Sequence, residues 1–89
     1  HLADAFVFRA SAYRQLNKLT KALIDAEEAL RLQPKHPEGL LERGNLRRLL
    51  HDDKGARKDW LALIESSPKS QAAEDARKNL EFMDLKTIK

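Results

Sequence analysis

The side chains able to do chemistry are few, and their spacing does not suit catalysis. The three histidines, His1, His36 and His51, fall at the terminus and in turns, with no His–Glu helical spacing to hold a metal. Asp52 and Asp53 are adjacent acids at a helix start, where a carboxylate caps free backbone N–H groups. The chain has no cysteine, which removes thiolate zinc sites, disulfides and thiol nucleophiles. Neither a glycine-rich phosphate loop nor a nucleophile elbow is present. These residues imply a protein that is not an enzyme and needs neither metal nor cofactor. What remains is equipment for holding. Asn45, Arg14 and Arg48 are donors for a peptide backbone or a carboxylate, the arginines bidentately. Phe8, Leu41 and Leu49 can form apolar pockets for a partner's anchor side chains.

Arg14 and Arg48 lie 34 residues apart, and the interval recurs along the chain. Arg9 returns as Arg43, Leu16 as Leu50, Ala22 as Ala56, Asp25 as Asp59, Pro34 as Pro68 and Lys35 as Lys69. Chance identity at one position is only about 6% for ordinary composition. A fixed period of this size marks stacked supersecondary units, which commonly build surfaces that hold other molecules.

The elements within each unit are helices. Ala3, Phe6, Ala10, Tyr13 and Leu16 are spaced three and four apart, which predicts a helix over 3–16. Asn17 follows, a residue that tolerates the left-handed conformation ending many helices. A second helix over 19–32 turns Ala22, Leu23, Ala26, Ala29 and Leu30 inward, and Pro34 and Pro37 close it. The break at Asn17-Lys18 is short enough to force an antiparallel hairpin. The pattern then repeats, with a third helix over 38–50 and a fourth from Asp52 or Asp53 to Ser66. Ser70 can cap a fifth helix over 71–85, apolar along Ala72, Ala73, Ala76, Leu80 and Met83. No second hairpin partner follows it, so it reads as a cap over exposed core.

On these residues the chain resembles the tetratricopeptide repeat family. Phe6 fills the bulky first-helix slot, Ala10 the small crossing slot and Tyr13 the aromatic slot. Ala22, Ala29 and Pro34 complete the first copy, while Leu40, Gly44, Ala56, Trp60 and Pro68 fill the second. The resemblance implies an all-α, right-handed solenoid of five helices, with repeats at 3–36 and 37–70, a capping helix over 71–85 and a tail over 86–89. Arg9 and Arg43 replace the family's leucine, and Arg47 replaces an aromatic residue. Their stems can be buried with the heads reaching solvent, and the second repeat is expected to be looser around Arg47. Small residues at the crossings allow close helix approach. Trp60, in place of Ala26, is expected to pack on Ala72, Ala73 and Ala76.

In stacked helix pairs of this family, the first helix of each pair lines a concave surface. The resemblance therefore implies a partner-binding groove of Val7, Phe8, Ser11, Arg14, Leu41, Glu42, Asn45 and Arg48, flanked by Asp4, Gln15, Glu38 and Leu49. Phe8 and Val7 can equally be contacts to a preceding helix, and the Arg14/Arg48 pair a solvated face. Family members that hold chaperone tails do so with lysine, asparagine and arginine around a carboxylate. The matching slots here hold Val7, Ser11, Glu42, Ala72 and Ala76, which offer no cation. The implied function is a protein-interaction module for a peptide or helix. The alternative is a structural spacer within a longer solenoid.

Composition bounds the rest. A chain of 89 residues is one small domain, burying roughly 60–65% of the surface its unfolded form exposes. Net charge is +3, with bases and acids interleaved rather than gathered into the single-sign stripe that nucleic acid requires. No apolar run approaches a membrane span, and no segment resembles a signal peptide. The expectation is a monomer that binds neither nucleic acid nor membrane, and the lack of cysteine fits a reducing compartment such as the cytoplasm. A start at His1 rather than Met fits a segment of a longer protein.

Overall fold

The computed structural model describes residues 1–87. Among these it has five helices: α1 Leu2–Gln15, α2 Leu19–Leu32, α3 Pro37–Leu49, α4 Asp53–Ser66 and α5 Gln71–Thr87. The last continues two residues past the expected end at Leu85. Of the tail expected over 86–89, residues 88–89 lie outside the described part.

Each boundary has a local cause. Asn17 (φ 60°) and His51 (φ 69°) are left-handed residues in matching positions of the two hairpins. In the first turn Lys18 N–H donates to the Tyr13 carbonyl at 2.8 Å and Asn17 N–H to Arg14 at 2.9 Å. Asp52 and His51 repeat both bonds to Arg47 and Arg48 at 2.7 and 3.0 Å. This paired pattern satisfies carbonyls that a helix end otherwise leaves free. Second helices end differently, with Gln33 extended and Ser67 also out of the helical region ahead of Pro34 and Pro68. Asp52 accepts from Gly55 N–H at 2.9 Å and Ser70 from Ala73 N–H at 3.0 Å, capping α4 and α5.

The hairpins interlock through their cores. Leu46 of α3 sits with Ala10, Ala22 and Ala26 of the first hairpin. Leu30 of α2 reciprocates, joining Leu40, Ala56, Trp60 and Leu63 of the second. Trp60 shares that cluster with Ala72, Ala73 and Ala76 of α5, so the large ring meets the row of alanines as expected. The same ring explains Gly44. A Cβ there would press on Trp60 Nε1 and lie 2.6 Å from Cδ1. Gly44 is thus the surface on which the indole rests. Trp60 Nε1 itself has no hydrogen-bond partner among the described residues, so shape alone holds the ring.

The arginine heads have partners that the expectation did not include, although the Arg9 side chain stays 59% exposed. Arg9 forks onto Asp25 at 2.6 and 2.9 Å, and Arg43 onto Asp59 at 3.0 and 2.9 Å. Both aspartates are buried. The heads therefore turn back onto the second helix of their own hairpin, because a buried carboxylate without a cation would be costly. Arg47, where a looser second repeat was expected, is tied into the hairpin. Its Nη1 donates to Asp59 Oδ2 at 3.0 Å, adding a second cation where Tyr13 in repeat one lies 5.8 Å from the Arg9 guanidinium.

Trp60→Ala is expected to destabilise the fold by roughly 3–5 kcal/mol in urea denaturation. Gly44→Ala, ordinarily a gain of about 1 kcal/mol within a helix, should instead cost about 1–3 kcal/mol through overpacking. A Gly44→Ala chain as stable as the parent would show that the indole does not rest on that backbone.

Candidate groove on the first helices

The side chains expected to meet a partner lie on α1 and α3, and three depressions border these helices and α5, two of them sharing Leu41 and Glu42. The first, about 370 Å³, is lined by Val7, Phe8 and Ser11 from α1 and by Leu41, Glu42 and Glu38 from α3, with Asp4 and His36 at its mouth. The second, about 360 Å³, shares Leu41 and Glu42 and adds Arg14, Asn45 and Asp75, Lys78 and Asn79 of α5. The third, about 290 Å³, lies between Arg48, Leu49 and His51, Asp53 at the start of α4, and the Phe82, Met83 and Lys86 of α5. All eight expected groove residues line one of the three.

They do not contribute alike. Phe8 is 75% exposed and available for contact, whereas Val7 is buried and forms floor. Glu42 is only 6% exposed. Its carboxylate is paired with Arg14 Nε, with a second contact from Arg14 Nη2 at 3.4 Å. The Arg14 head is therefore engaged as a strut between α1 and α3, which corrects its expected role as a free donor. Arg48, by contrast, makes no ion pair among the described residues. Asn45 Oδ1 accepts from Asn79 Nδ2 at 3.0 Å. Of the slots compared with the chaperone-tail clamp, Val7, Ala72 and Ala76 are buried and Glu42 is paired with Arg14.

α5, expected only as a cap, also lines two of the depressions. The missed residues are Asp75, Lys78, Asn79, Phe82 and Lys86, and one signal pointed to them: Asn79 stands 34 residues after Asn45. The other missed group is His36. Its Nδ1 accepts from Gly39 N–H at 3.1 Å, so Nε2 carries the hydrogen that Asp4 Oδ1 accepts at 2.5 Å. The bond ties the starts of α1 and α3 together beside the first depression.

That hydrogen bond from His36 holds the Asp4 carboxyl below its usual value. Partial desolvation opposes the effect, and the charge of the ring when protonated and the amino terminus reinforce it. Among the described residues no cluster of three or more acids or histidines is placed to hold a metal ion. No helix of the described part is long and apolar enough to cross a membrane.

Comparison with known proteins fits this geometry. The family model for the tetratricopeptide repeat matches residues 3–36. Among solved structures, the Arabidopsis OM64 TPR domain is similar at a TM-score of 0.78 and 27% identity, over 91% of this chain and 67% of that one.

Because the Asp4 pKa is lowered on folding, its contribution is complete above the usual carboxylate range and is lost as pH falls through the lowered value. The stability difference between the parent chain and Asp4→Asn should therefore be present at pH 5 to 7 and vanish in strong acid, as read by denaturation across pH. A difference that persists undiminished in strong acid, where the Asp4 carboxyl is protonated in both states, would contradict the assigned bond.

Proposed function

The chain is a tetratricopeptide repeat protein, by sequence over its first repeat and by fold along its length, and from that premise we propose that it holds a peptide or helix of a partner protein on the face of α1, α3 and α5. Tetratricopeptide repeats mediate protein–protein interaction as non-catalytic scaffolds. The observation that supports this particular surface is its continuity. Two of the three depressions share Leu41 and Glu42, and α5 extends the face past Asn45 to Phe82. Exposed apolar groups (Phe8, Leu49, Phe82) alternate along it with polar ones (Ser11, Asn45, Arg48). Such a mixture gives anchors their pockets and the intervening backbone its donors.

One observation favours the spacer reading. Positions 8, 42 and 76 share a register, and Glu42 and Ala76 are buried against the preceding hairpin while Phe8 is bare. In that reading a further helix covers Phe8. The polar outer side of α5, with Glu74, Arg77 and Glu81 exposed, argues against the same stacking continuing beyond it.

Arg14→Glu would break the strut to Glu42, so it is a poor probe of binding. The better probe is Phe8→Ser with Arg48→Glu, set against Ile24→Ser on exposed α2, in a pull-down from source-cell lysate with helicity checked by circular dichroism. A protein retained by the parent and by Ile24→Ser but lost by the groove variant, weakened by at least about 1 kcal/mol, is the expected outcome. Equal recovery by all three chains would reject the groove and favour the spacer.

A further inference from the structure

We propose that the depression between α1 and α3 takes a cationic, apolar segment of the partner: a lysine or arginine next to a bulky apolar side chain. The inference rests on the groove reading above and adds the chemistry of its ligand. The apolar lining of this depression is Val7, Phe8 and Leu41, and every ionisable side chain among its lining residues is an acid or the imidazole of His36. The acids are not equivalent. Glu42 is neutralised by Arg14. Asp4 accepts from His36, whose ring contributes no positive charge while Nδ1 serves as an acceptor. Glu38 is 61% exposed at its side chain, and its nearest ion-pair candidate is that same ring nitrogen at 3.7 Å. The nitrogen already accepts the Gly39 N–H, so it leaves the Glu38 carboxylate without a cation.

Two carboxylates, Asp4 and Glu38, therefore stand over an apolar floor without a cationic side chain among the described residues to match them. The starts of α1 and α3 lie here too, and each helix N-terminus carries about half a positive charge. Together they offset about one of the two carboxylates, with a smaller contribution from the amino terminus beside Asp4. What is left is a negative mouth on a protein whose net charge is +3. A cation entering it meets Glu38 at the rim and the exposed face of Phe8 beside it, which attracts a positive charge through its ring quadrupole. Neighbouring apolar atoms of the same segment then cover Phe8 and Leu41. An anionic segment would meet like charge at the same place.

The test uses two dye-labelled peptides that share leucine and phenylalanine, one carrying lysine and its twin glutamate at the same positions, titrated by fluorescence anisotropy. Long-range attraction to a net positive protein favours the glutamate twin, so a preference for lysine must be local. The lysine peptide is expected to bind at least about tenfold more tightly, with affinity falling as salt rises. Glu38→Lys should abolish that preference, Phe8→Ser should weaken binding of the lysine peptide, and Glu27→Lys on exposed α2 should change neither. Equal affinity for the twins, or preference for glutamate, with Phe8→Ser still weakening binding, would overturn the cationic assignment and leave the groove reading intact. If neither peptide binds, the cationic assignment also fails, and the groove reading is decided separately by the pull-down variants.

Discussion

The indole of Trp60 resting on the backbone of Gly44 is the contact on which the second half of the molecule depends. It brings α4 close to α3 and shares a core with the alanines of α5. Those alanines are small because the ring is large, and their row lets α5 lie flat along the second hairpin. Once seated, α5 supplies Asn79, Lys78 and Phe82 to the face begun by α1 and α3. Repeat one has alanine at both matching places, Ala10 and Ala26, and closes by approach of backbones instead. The same hairpin is thus built in two ways, small against small and large against none.

A second constraint is the arginine–aspartate fork that recurs in each hairpin. Asp25 and Asp59 are buried, and each is held by an arginine of the facing helix through two parallel bonds. Replacing such a pair by packed apolar groups can be neutral for stability, yet removing one partner strands a buried charge. The pairing also fixes the rotation of each first helix about its axis. That rotation decides which residues face the groove.

The helices, their ends and the Trp60 pocket were legible because each follows from local rules: apolar spacing, proline, and a left-handed residue at each hairpin turn. The ion pairs were not read, although their signal was present. Arg9 and Arg43 recur together with Asp25 and Asp59, at the same 16-residue separation in both copies. Spacing within one helix says nothing about a contact across a hairpin, so the joint recurrence had to be taken as a distance. Arg14 was mistaken for a free donor for a related reason. Its partner, Glu42, belongs to the next hairpin and is visible only after stacking. Of the groove, the α1 and α3 residues were legible from the repeat, whereas the α5 residues were hidden by reading that helix only as a cap.

If the first helices form the binding face and the second helices are scaffold, amide chemical shifts of isotope-labelled protein titrated with the minimal binding segment of a captured partner will separate the two surfaces directly. Shifts gathered at Phe8, Ser11, Leu41, Asn45 and Asn79, with the exposed sides of α2 and α4 silent, are the expected result. Shifts confined to Ile24 of α2 and Leu61 of α4, both exposed on the second helices, would contradict it and move the interaction to the opposite face.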